Sequence, residues 1–193
     1  MTTRTYRWIV AGLLGLALWQ LGAGLWIPAK AALAQALIGR AWAAAQSGEP
    51  MAKPWPWADT WPVARLEAPD LGEAVYVLAD ASGRSLAFGP GHLAGTASPG
   101  AAGLSIISAH RDTHFRFLRR LSAGDRLLIE RSDGTRVAYR VTGADVVDAR
   151  TARIFDEVER PALALVTCYP FDGLWPGTPL RYVVTAEAES VAH

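Results

Sequence analysis

The pattern of apolar and polar positions divides the chain into three stretches. From Trp8 to Ile27 the run WIVAGLLGLALWQLGAGLWI carries no charge and a single strongly polar residue, Gln20. Its length matches the roughly 20 residues a helix needs to cross a bilayer, and it predicts a transmembrane helix. Trp8 and Trp26 stand near its two ends, where amphipathic rings favour the headgroup region, and Arg4 and Arg7 on the short amino-terminal side predict a cytoplasmic N-terminus. A cleavable signal peptide is the competing reading, because Ala32-Leu33-Ala34 has the small residues of a cleavage site. Signal h-regions are typically only about 7 to 15 residues, however, and this site lies well past the end of the apolar run. Both readings export the remainder of the chain.

After Pro28, Leu33, Leu37, Ala41, Trp42 and Ala45 recur at helical spacing until Gly48 and Pro50, which predicts a short helix on or above the membrane. The segment PMAKPWPWADTWP, residues 50–62, is too rich in proline to continue it and reads as an extended tether. From Val63 the period shortens to β-prone runs separated by Gly, Pro, Asp and Ser, the mark of an all-β sandwich or barrel. The predicted strands are 64–67, 74–80, 85–88, 103–109, 126–131, 135–147, 162–167 and 180–186, with Ser132-Asp133-Gly134 as a hairpin turn and a helical turn over 115–121. The domains expected are therefore 1–28, cytoplasmic N-terminus and anchor; 29–62, helix and tether; and 63–193, the β domain.

Composition narrows the function. The 193 residues hold 19 Lys and Arg against 18 Asp and Glu, for a formal charge of +1. No basic stripe is available to neutralise a row of phosphates, so nucleic acid is not expected as a partner. The chain has one cysteine, which excludes an internal disulfide and leaves Cys168 a free thiol.

Cys168 ends the apolar run PALALVTC, just before Tyr169-Pro170, where a strand would deliver its thiol to a sheet edge beside a loop. His110, in SAHRDTHF, likewise follows an apolar strand, LSIIS. An imidazole that meets a thiol can exchange a proton with it and protonate a leaving amine, the pairing that cysteine acyl transfer requires. Arg181, at the start of PLRYVV, adds a guanidinium that stays charged and can support a developing oxyanion. Taken singly, each has a blander reading: a core cysteine, a loop histidine, a surface arginine.

Together, LVTCYPF, the His110 segment and PLRYVV, in the order His, Cys, Arg, resemble the catalytic strands of the sortase family. The likeness extends over roughly residues 63–186 and includes GPGHLAGT, residues 89–96, upstream of the histidine. The anchor, the tether and HRDTHF are most similar to sortases of Gram-negative bacteria, class GN. The resemblance implies a closed eight-stranded β-barrel and a thioacyl-enzyme mechanism. In it Cys168 is the nucleophile, His110 the acid and base, and Arg181 the group that orients the signal and supports the oxyanion. Thr167, which matches the second Thr of a TLxTC motif, is implied to help form the oxyanion site. The first Thr of that motif is Ala164 here, and the Gly that often precedes the histidine is Ala109. The implied partners are an exported protein with a C-terminal sorting signal, an amine acceptor or water, and the bilayer; the implied location is the periplasmic face of an inner membrane. No organic cofactor is implied, and the sequence has no dense acidic cluster that would argue for calcium.

A zinc site is the main rival, since His110, Asp112 and His114 at period two would share a face of a strand and Cys168 could complete a tetrahedron. A non-catalytic anchored β domain is the other. Papain-like and NlpC-type hydrolases are disfavoured because they place the cysteine before the histidine.

Overall fold

In a computed structural model, the structure describes residues 3–152, 159–173 and 177–189, without the side chains at positions 5, 6, 9, 18, 23, 25 and 27. The chain forms two compact units, 1–37 and 38–193.

Within the first unit lies most of helix α1, Thr3–Gln46, which contains Pro28. The expected break at Pro28 does not occur: the span and the short helix after it are one element. A proline inside a helix lacks one donor, a local cost that the surrounding Ala- and Leu-rich turns outweigh. Trp8, Leu13, Leu14, Leu16, Trp19, Leu21 and Trp26 are exposed. Among the described residues, no helix is long and apolar enough to cross a membrane.

The second unit is a closed barrel of eight strands: β1 Pro62–Ala68, β2 Glu73–Leu78, β3 Gly91–His92, β4 Gly103–Ser108, β5 Arg126–Arg131, β6 Arg136–Asp148, β7 Pro161–Cys168 and β8 Leu180–Ala188. The order around the barrel is β1-β2-β3-β4-β7-β8-β6-β5. Alternation builds its interior. In β1, Ala64, Leu66 and Ala68 are buried while Val63, Arg65 and Glu67 are only partly so, the period of two expected of a strand with one face on a core. Ile107, Phe115, Leu118, Leu127, Ile129, Tyr139, Leu163, Leu165 and Val184 fill the same cluster. β4 and β7 run parallel at the centre of this arrangement, and β7 is buried on both faces from Ala162 to Leu165, which explains the unbroken apolar run PALALV.

Seven of the eight expected strands correspond to observed ones, but the run at 85–88 does not. Residues Gly83–Leu86 form a short helix, α2, because the Ser82 hydroxyl accepts from the Ser85 N–H and caps it. The strand in that region is the two-residue β3, bridging β2 and β4. Gly91 is required there: an added Cβ would lie 2.2 Å from the Asp80 carbonyl oxygen. The expected turn at 115–121 is a 3-10 helix over Arg116–Arg120.

The proline-rich segment at 50–62 is also more than a tether. Ala52, Ala58 and Thr60 are buried, and Trp55 packs edge-on against Phe88 with centroids 4.9 Å apart. The last turns of α1 belong to the barrel unit as well. Ile38, Ala41 and Trp42 are buried there, and the Trp42 ring lies 6.2 Å from that of Tyr76. Gln46 donates to Glu130 at 3.4 Å.

Candidate active site

β4 and β7 pair in parallel from Gly103↔Pro161 to Ser108↔Val166, a constant offset of 58 positions. Extending that register by two residues sets His110 level with Cys168. The ladder continues past β4, since the Ala109 N–H donates to the Val166 carbonyl at 3.1 Å. On the other side β8 is antiparallel to β7, with Cys168 directly opposite Arg181. The three residues therefore stand on three adjacent backbone segments, His110 by extension of the register beyond its last paired residues and Cys168 in the middle. Adjacent strands are about 4.8 Å apart, so each outer group begins one strand spacing from the thiol.

Their shared face follows from parity. Ile107, Ala109, Leu165 and Thr167 are buried, Ile107 and Leu165 completely. The next residues in each strand point the other way: His110 is exposed and Cys168 is half-buried. Val184 and Ala186 face the core from β8, which turns Arg181 to the same side as Cys168. The row lies on the outside of the barrel, with His110 exposed and Cys168 and Arg181 half-buried.

The Arg181 Nη1 donates to the Thr178 carbonyl at 2.6 Å and the Leu180 carbonyl at 2.9 Å, which fixes one arm of the guanidinium at the entrance to β8. Thr167 lies on the opposite face, and its hydroxyl donates to the Ala109 carbonyl at 2.7 Å. It is a cross-strand tie between β7 and the segment that carries His110, and its hydroxyl does not face the sulfur.

After Cys168 the chain turns through a cis Tyr169-Pro170 peptide. Tyr169, Phe171 and Tyr182 form a three-ring cluster, with Tyr169 stacked on Tyr182 at 6.3 Å and Phe171 edge-on to Tyr182 at 5.1 Å. Beside it lies a cleft of about 360 Å³ lined by Arg111, Asp112, Arg116, Arg119, Phe171 and Asp172. His114 is half-buried, and burial, aided by repulsion from His110, lowers its pKa below the ordinary histidine value. His92 lies elsewhere: its Nε2 is within hydrogen-bond distance of the Ala97 carbonyl and the Thr96 hydroxyl, ordering the loop at 93–97.

Among the described residues, no group of three or more His, Cys, Asp or Glu side chains is arranged to hold a metal ion. His110, Asp112, His114 and Cys168 do not form the tetrahedral set a zinc site would need. Sequence reasoning passed over Arg111, since nothing in HRD distinguishes a buried guanidinium from a solvated one.

Residues 66–189 match the sortase domain family. The chain belongs to the sortase family. It is 31% identical over 120 residues to sortase D of Bacillus subtilis, an alignment that takes in 62% of this chain and 60% of that protein. Among solved structures, the fold resembles sortase A from Corynebacterium diphtheriae, with a TM-score of 0.62 at 22% identity over 70% of this chain and 64% of the other. It also resembles a Clostridium perfringens sortase D5 transpeptidase, with a TM-score of 0.59 at 21% identity over 67% and 80% of the two chains. These likenesses carry the barrel of this sortase, and the sequence match carries its family.

Proposed function

We propose that this sortase is a membrane-anchored cysteine transpeptidase acting on the C-terminal sorting signal of an exported protein. The Cys168 thiolate attacks a peptide carbonyl carbon of the signal. His110 protonates the departing amine, leaving an acyl group on Sγ. His110 then takes a proton from an incoming amine, or from water, which attacks the thioester and releases the Cys168 thiolate. Arg181 holds the signal's carbonyl and supports the oxyanion in both halves. What supports this reading is that Cys168 pairs directly with Arg181 of β8 and that the β4–β7 register, extended two residues past Ser108↔Val166, sets His110 level with Cys168. No organic cofactor enters these steps.

The anchor is read from the uncharged run at 8–27, in which Ile9, Leu18, Ala23, Leu25 and Ile27 lie outside the described side chains, and from the exposed Leu13, Leu14, Leu16 and Leu21 of α1. It would hold the catalytic unit on the periplasmic side of an inner membrane, in keeping with the likeness of HRDTHF to the Gram-negative class. Cell fractionation with alkaline carbonate tests it: the full chain is expected to stay with the membranes, and a chain lacking residues 1–37 to be released.

The catalytic proposal is tested by incubating the protein with a library of sorting-signal-like peptides and searching by mass spectrometry for an acyl adduct on Cys168. An adduct that Cys168→Ala abolishes is the expected result. Its absence across a diverse library, or its persistence in the variant, would overturn the proposal.

A further inference from the structure

Arg111 is 7% exposed, a guanidinium largely withdrawn from water. Its Nη1 donates to the Pro170 carbonyl at 2.6 Å and its Nη2 to the Gly173 carbonyl at 2.5 Å. Nε lies 3.5 Å from the exposed Asp112 carboxylate. Pro170 and Gly173 bound the first turn after the nucleophile strand, and the Gly173 N–H donates back to the Pro170 carbonyl at 3.3 Å. The residue next to His110 thus grips both ends of the turn that begins two residues past Cys168.

Among the described residues, the backbone bonds between β4 and β7 end where Ala109 donates to Val166. His110 and Cys168 both lie beyond that last rung. What ties their two segments together there is the Thr167 hydroxyl on the core side and the Arg111 fork on the loop side. We infer that Arg111 is a positioning residue for the Cys168–His110 pair, a role that rests on the thiol-transfer reading above. A planar fork with two donors fixes two carbonyls at once, and a lysine ammonium, a point charge on a flexible stem, fixes them less well. Gly173 supplies an independent perturbation. A Cβ there would lie 3.0 Å from the Arg111 Nη1 and 3.2 Å from both the Pro170 Cγ and its carbonyl oxygen, so Gly173→Ala pushes on the fork without removing its charge.

The test compares the full chain with Arg111→Ala, Arg111→Lys and Gly173→Ala by two measurements. One is the rate of Cys168 acyl-adduct formation from the peptide library; the other is the pH profile of Cys168 alkylation by iodoacetamide. Asp112, Asp172, Arg116 and Arg119 around the cleft, His114 beside His110, and Arg181 opposite the thiol are retained in every variant. Circular dichroism checks that each variant is folded, and because Arg111→Lys and Gly173→Ala keep the positive charge, a displaced alkylation profile in them reports movement of the imidazole relative to the sulfur. Arg111→Ala is expected to slow adduct formation by roughly ten- to 100-fold, as misplacement of reacting groups does. Its alkylation profile is expected to differ from that of the wild-type chain. Arg111→Lys should recover part of both, and Gly173→Ala should shift both in the same direction by less. Adduct formation within about twofold of wild type together with an unmoved profile in Arg111→Ala would overturn the role. Should that variant not fold, the same result in Arg111→Lys and Gly173→Ala would do so. If the wild-type chain forms no adduct, the transpeptidase reading fails, and the alkylation profiles still decide the role of Arg111.

Discussion

Arg181 pairs with Cys168 across one strand spacing, and the mechanism proposed above asks it to stabilise charge. Removing an oxyanion donor commonly costs about 100-fold or more. Arg181→Ala is accordingly expected to lower turnover by about that factor with the circular dichroism spectrum unchanged, and Arg181→Lys, which keeps the charge but loses the fork, to recover it only in part. Turnover near the wild-type rate would remove Arg181 from the mechanism. His114 carries a pH prediction. Its folded pKa lies below the unfolded value, because burial and the neighbouring His110 disfavour the cation. A depressed pKa means that the unfolded chain binds the proton first as acid is added. Stability should therefore be full above about pH 6.5 and should decline as the pH falls through that value toward the lowered one. In urea melts at a series of pH values, His114→Gln should flatten this decline. Ser105, fully buried in β4, has a hydroxyl with no hydrogen-bond partner among the described residues. Ser105→Ala should raise the unfolding free energy by up to about 1 kcal/mol, since a buried orphan polar group is lost at little packing cost.

At the scale of elements, the parallel contact of β4 with β7 is the device that makes a site out of two remote segments. Its end is fastened by Thr167, whose hydroxyl satisfies the Ala109 carbonyl. Thr167→Val keeps the shape and orphans that carbonyl, a loss of about 1 to 3 kcal/mol. Chemical denaturation should record it, and adduct formation should slow as well, because Ala109 carries His110 on its next backbone bond. The run at 85–88 shows the limit of reading elements by β propensity. Ser-Leu-Ala-Phe alternates like a strand, yet the Ser82 cap draws its first two residues into a helical turn, and a contact between backbone and side chain three residues apart outweighs so short a pattern.

At the scale of the whole molecule, the compact unit starts at Ile38, upstream of the expected domain start at 63. Trp42, at 4% exposure, and Ile38, at 1%, bury surface that a chain beginning at Val63 would leave bare. A chain beginning at Ile38 should therefore unfold at higher denaturant than one beginning at Val63. Trp42→Ala in the longer chain should lose about 3 to 5 kcal/mol, as truncation of a buried aromatic does. Equal midpoints for the two chains would show that the helix end adds nothing to the barrel.

The strand periodicity, the lone thiol, the positions of His110 and Arg181 beside apolar runs and the motif order were all legible along the chain, because local pattern and residue chemistry are properties of neighbours in sequence. The offset of 58 positions that levels His110 with Cys168, the pairing of Cys168 with Arg181, the turning of the Thr167 hydroxyl away from the sulfur and the burial of Arg111 were not legible. Each depends on which strands become neighbours and in what register, and that is settled by the closure of the barrel around a shared core, a contest among segments far apart in sequence that no local pattern encodes.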